Sequence, residues 1–206
     1  MRKLLIFIFL ICGILNLNTK NDNFKDIINP INKDYYKKSI YDIALKQKKD
    51  NLINSINIYI DSVAPKSKLK GDSLVNACEK YKVNICFVMA QAQLESHFGT
   101  TGVAKKTNSV WNVKAYDGRS AVNMIKSGYG FSDPNHSIEP YLILLTNKYL
   151  INRTEFDLIK NFTNINGKRY ASCPNYENKL KNIYKYIVYN TNINKHYNEY
   201  VEFKYS

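Results

Sequence analysis

A mainly helical α+β domain, with a small irregular or β lobe inserted after one buried helix, is the fold class this sequence predicts. Three observations predict it. The stretch 84–99, NICFVMAQAQLESHFG, is apolar on every side over its first part, as in a helix enclosed by its own domain. On either side of it, apolar residues recur at helical spacing. Between residues 99 and 133 that period is lost, Gly99, Gly102, Gly118, Gly128 and Gly130 gather, and Asp117-Gly118 signals a turn.

Taken in order, the chain opens on Met1-Arg2-Lys3 and an apolar run from Leu4 to Leu15. That is the pattern of a secretory signal, and it is shorter than the roughly twenty residues of a membrane span. Residues 1–20 are therefore read as a signal peptide or N-terminal anchor, which exports the chain to the periplasm, cell envelope or exterior. Membrane contact is then transient, unless the signal is retained as an anchor. Residues 21–51 are polar and lysine-rich, a linker or loosely attached helix. Leu52, Ile56, Tyr59, Ile60 and Val63 mark a helix that Ala64-Pro65 ends. Asp72 is expected to cap a second helix, with Leu74, Val75, Cys78 and Tyr81 inward. Asn84 caps the central helix and Gly99 stops it. The broken stretch that follows predicts loops, with at most a hairpin around Val110–Tyr129. Ser137 is expected to cap a helix with Pro140 in its permissive first turn and Ile138, Tyr141, Leu142, Leu145 and Tyr149 inward. Thr154 caps another, with Phe156, Ile159 and Phe162 inward, and Asn166-Gly167 makes a turn. Ser172 is expected to cap the last helix, whose stripe is Tyr176, Leu180, Ile183, Tyr184 and Ile187. Residues 52–190 thus form the domain, and 191–206, rich in Asn and Tyr, read as a tail.

The 206 residues carry 30 basic and 17 acidic side chains, a formal net charge of +13. Such a surface suits anionic polymers, but no compact Lys/Arg cluster interleaved with aromatics marks a nucleic-acid groove. Without the signal, Cys78, Cys86 and Cys173 remain, an odd number without metal-ligand spacing. They read as buried small hydrophobes, with one disulfide open to an exported chain. His97, His136 and His196 form no metal pattern with acids or cysteines, and neither a metal nor another cofactor is expected.

The chemistry concentrates at the end of the central helix, where Gln91 and Glu95 stand four apart on one face. A carboxylate there is costly to ionise unless paired or open to a cleft. Glu95 is thus either a general acid held protonated or an acid meeting solvent where the helix surfaces. Residues 90–114, AQAQLESHFGTTGVAKKTNSVWNVK, resemble the signature of the glucosaminidases of glycoside hydrolase family 73. A second motif, Tyr170-Ala171-Ser172-Cys173-Pro174-Asn175-Tyr176, is similar to a later stretch of that family, and Ser137-Ile138-Glu139-Pro140-Tyr141 falls between them. The resemblance spans about 66–188.

It implies a lysozyme-like fold, with a helical lobe and a small β lobe flanking a glycan groove. The implied reaction is hydrolysis of the β-1,4 backbone of peptidoglycan on the reducing side of N-acetylglucosamine. Peptidoglycan strands would be the partner of a monomer. Glu95 matches the general acid, and Tyr170 a groove tyrosine near the reacting sugar, or else a core phenol. Gln91, His97, Asn108, Trp111 and Tyr176 are the candidate substrate contacts, with core packing the competing role for Trp111. Asn112 stands where the family often has Gly, and Asn tolerates a left-handed backbone. The family's second carboxylate has no clear counterpart. Asp117, the only acid between Lys114 and Phe131, is either that group or a turn former, and Asp133 reads as a turn residue. Muramidase or lytic transglycosylase activity on the same fold, or wall binding without turnover, are the alternatives.

Overall fold

A computed structural model of the chain describes residues 30–113, 126 and 130–206, with side chains described from residue 35 onward. Residues 1–20, Asp117 and most of the expected hairpin lie outside the described residues. The chain divides into two compact units, 1–46 and 47–206. In the first, residues 30–46 are helical. The site described below lies in the second.

Helix α1 (Pro30–Val63) buries Leu52, Ile56, Tyr59 and Ile60, the stripe read from the sequence. It begins well before Leu52, however, so of the two readings of residues 21–51, linker or loosely attached helix, the helix holds from Pro30 onward. Tyr35, Tyr36, Ile40 and Ile43 are exposed there. Apolar periodicity detects only helix that is being buried, whereas this part is carried by helix-favouring Lys, Gln, Ala and Leu.

Helix α2 (Gly71–Tyr81) starts after Lys70, with Asp72 in its first turn and not at the cap. Gly71 N donates instead to Asn57 Oδ1 of α1 at 2.8 Å. Helix α3 (Ile85–Ser96) is the buried centre. Asn84 caps it by accepting from Cys86 N and Phe87 N, and every residue from Ile85 to Ala92 is buried. Around α3 pack α2, α7 and α8. A single turn, α4 (Ala104–Thr107), follows.

Pro134–Ser137 forms a 3-10 turn that runs directly into α5 (Ile138–Leu144). Ser137 occupies the cap position without capping. Its hydroxyl donates to Pro134 O and accepts from Val110 N. The end of α5 widens into a π turn, Leu145–Tyr149. Its expected inner face, from Ile138 to Tyr149, is buried throughout.

Helix α6 (Glu155–Lys160) opens with a reciprocal capping box between Thr154 and Asp157. Here Phe156 is 61% exposed and Leu158 is buried in its place. Helix α7 (Tyr176–Asn190) starts after Asn175, not Ser172. The expected tail is helix α8 (Ile193–Tyr205), which buries Ile193 and Tyr200. Its apolar stripe is obscured in the sequence because Asn, Lys and Tyr dominate its composition.

Helices thus supply almost all the regular structure. Among the described residues, β pairing is limited to an isolated antiparallel bridge between Thr163 and Arg169. None of the described helices is long and apolar enough to cross a membrane. Cys78 and Cys86 are buried free thiols and Cys173 is a partly exposed one. Burial pushes the Cys86 thiol up to about 12, as expected of an inert packing group.

Candidate active site

Helix α3 stops abruptly. His97 and Phe98 are both left-handed, with φ of 51° and 56°. Phe98 N reaches back to Ala92 O and His97 N to Gln93 O, which satisfies carbonyls the helix end would otherwise orphan. Gly99 follows at φ 82°, and a Cβ there would press on Val110 Cγ2 at 3.3 Å. The stop is then tied to its surroundings. His97 Nε2 bonds Val63 O at 2.7 Å and Ser67 Oγ donates to Phe98 O at 2.8 Å. The buried Ser96 hydroxyl donates to Val110 O at 2.6 Å and accepts from Gly99 N at 2.8 Å. These bonds fix the last turn of α3 against residues 109–113.

Glu95 projects from that turn and keeps part of its surface exposed. Tyr176 of α7 donates to Glu95 Oε1 at 2.5 Å. Asn112 Nδ2 donates to Oε2 at 3.2 Å and to the Glu95 main-chain oxygen at 2.9 Å. Behind Tyr176 lies a chain of donors with one direction. Tyr141 donates to Gln91 Oε1 at 2.5 Å, and Gln91 Nε2 donates to the Tyr176 oxygen at 3.1 Å. Gln91 is completely buried, so it orients Tyr176 from within the core.

Burial drives the Glu95 carboxyl above the usual carboxylate range, and the bonds from Tyr176 and Asn112 partly offset this. Burial also raises the Tyr141, Tyr170 and Tyr176 phenols well above 10, reinforced in each by the charge of Glu95. All three stay neutral at working pH. The resulting site is a carboxyl inclined to hold a proton, with Tyr176 and Asn112 donating to it among the described residues. When Glu95 is protonated, its O–H carries the one proton among the described groups of the site that can be released near working pH. It can be given to an external oxygen.

Of the other residues expected here, Tyr170 donates to Trp111 O at 2.8 Å and stacks on Phe162 at 4.8 Å. Its hydroxyl is occupied by main chain. Trp111 is fully buried, stacked on Tyr141 at 4.6 Å and bonded through Nε1 to Val88 O. It holds the site from the core side and offers no ring face to a sugar. The left-handed Asn108 is spent on Phe131 O, next to a bond from Phe131 N to Thr107 O. His97 is engaged with α1, as described. Asp117 lies outside the described residues, and Asp133 caps the 3-10 turn by accepting from Asn135 N.

Two partners were not recognised in the sequence. Asn112 was seen only as a backbone-tolerant residue, and Tyr141 only as packing. The signal for Tyr141 was available, because a phenol in a buried stripe needs somewhere to put its hydroxyl.

The mainly helical, lysozyme-like fold agrees with the class to which a family-model match points, the glycoside hydrolases. More particularly, the chain belongs to the glucosaminidase family. The family model described as mannosyl-glycoprotein endo-beta-N-acetylglucosaminidase matches residues 71–188, more than half of the chain. No curated protein and no solved structure matches it.

Proposed function

We propose that this chain is an exported peptidoglycan hydrolase. It cleaves the β-1,4 glycan backbone on the reducing side of N-acetylglucosamine, and Glu95 is the general acid. The observation that carries this reading is the Glu95 carboxyl, desolvated and, among the described residues, hydrogen-bonded by Tyr176 and Asn112. Family membership supports a glycan substrate. The basic chain suits an anionic wall, and the Leu4–Leu15 run after Arg2 and Lys3 supports export.

The Glu95 proton passes to the glycosidic oxygen as the bond from that oxygen to the anomeric carbon breaks. The leaving sugar departs as an alcohol. The cation-like centre left behind is captured by water, which returns one proton to the carboxylate. Tyr176 and Asn112 stabilise the charge that appears on Glu95 during the first transfer.

The test is a digest of purified peptidoglycan, wild type beside Glu95→Gln, with mass spectrometry of the soluble fragments. Products ending in reducing N-acetylglucosamine are expected, with a fall of about 10²–10⁴-fold in the variant. Reducing N-acetylmuramic acid would make the enzyme a muramidase, and anhydro ends a lytic transglycosylase. Wall binding without release by either protein would make it a binding module.

A further inference from the structure

We infer that Asn112 is a positioning residue for Glu95: its amide turns donors, and not its carbonyl, toward the carboxyl, and so sets the pH range over which Glu95 holds its proton. The inference rests on the reading of Glu95 as general acid. Its geometry, however, is independent of substrate.

The orientation of the amide is fixed by a main-chain acceptor. Nδ2 serves both the Glu95 backbone oxygen at 2.9 Å and Oε2 at 3.2 Å. Turning the amide over would set Oδ1 against the Glu95 backbone oxygen, an acceptor in either protonation state of the side chain. The fold keeps the donor orientation although it leaves Asn112 Oδ1 buried without any hydrogen-bond partner. An arrangement that only satisfied Asn112 would not strand that atom. The backbone holds φ at +50° here, a region Asn tolerates better than most residues and glycine enters freely.

No charged side chain among the described residues competes for control of Glu95. The titratable groups facing it are Tyr141 from α5, Tyr170 from the segment before α7 and Tyr176 from α7. All are neutral at working pH. What sets the carboxyl's proton affinity is burial against two donors. Tyr176 is held by the core through Gln91, whereas Asn112 stands on the loop after α4. Removing the Asn112 donor disfavours the carboxylate, so the acid form persists to higher pH. Because a general acid works only while protonated, the alkaline limb of the rate profile moves up with it.

The experiment compares wild type, Asn112→Gly and Asn112→Asp by two readouts. One is the pH–rate profile on peptidoglycan. The other is NMR titration of the Glu95 side-chain carboxyl carbon, assigned by its loss in Glu95→Gln. Glycine accepts the left-handed backbone, so Asn112→Gly is expected to fold. In it, both the titration midpoint and the alkaline limb should rise by roughly one pH unit. Asn112→Asp, which puts a like charge at the same place, should raise the midpoint further. An unmoved midpoint in Asn112→Gly would overturn the inference. A midpoint that rises while the limb stays would uphold the Asn112–Glu95 coupling and overturn Glu95 as general acid.

Discussion

Glu95 is inclined to hold a proton because burial outweighs the two side chains, Tyr176 and Asn112, that donate to its carboxyl. Of the two, Tyr176 has the larger part, since its oxygen both receives from Gln91 and donates to Glu95. Tyr176→Phe keeps the ring against Phe162 and Tyr170 but deletes this junction. Leaving Gln91 Nε2 without an acceptor should cost about 1–3 kcal/mol in chemical denaturation. Activity should fall, with the alkaline limb shifted upward as in Asn112→Gly. The raised carboxyl also has a thermodynamic sign. Its folded-state affinity for a proton exceeds the unfolded one. This contribution to stability is fully present below the ordinary Glu value and is lost as pH rises through the folded value. Glu95→Gln should therefore gain in melting temperature relative to wild type as pH is raised, a trend followed by calorimetry from acid to neutral pH. Much of this site could be read from the residues: Gln91, Glu95 and Tyr176 were all singled out. Their division of labour was not legible, because a hydrogen-bond direction depends on which oxygen faces which nitrogen across the fold. Trp111 shows the same limit, since a lone Trp between valines serves a sugar or a core equally well until its Nε1–H is seen on Val88 O.

At the level of elements, the site depends on how α3 ends. A helix buried from Ile85 to Ala92 could not carry a polar last turn unless that turn left the core, and the two left-handed residues at 97 and 98 bring this about. Ser96 couples the stop to the segment that carries Asn112. Ser96→Ala strands Val110 O and Gly99 N, and should cost about 2–3 kcal/mol by urea unfolding. Because it also frees residues 110–112, activity should drop more than for a substitution of equal cost elsewhere, such as Asn84→Ala at the opposite end of α3. Equal losses of activity from the two would mean that the stop does not position the site. Helix existence was legible wherever one face is buried, as in α3 and α5. Caps were legible where a side chain bonds the first turn, as at Asn84 and Thr154. They were missed at Asp72 and Ser172, where the helix starts on main-chain geometry and bonds from other segments.

On the scale of the whole molecule, Glu79 of α2 gathers Lys49 from α1 with Tyr200 and Lys204 from α8. The C-terminal helix is thereby part of the folded unit although it lies beyond the residues matched by the family model. Deleting 191–206 should cost about 3 kcal/mol or more, from the lost burial of Ile193 and Tyr200, measured as a lowered denaturation midpoint. An unchanged midpoint would return this segment to the status of a tail. The arrangement around Glu95 has a consequence in time. Its members come from residues 91, 112, 141 and 176, so its contacts close loops of up to 85 residues. Loops of that length are slow to close, and a chain still emerging from the ribosome has Glu95 long before it has Tyr176. The Glu95 carboxyl thus meets its two donors and its burial only when nearly the whole domain has been made and folded.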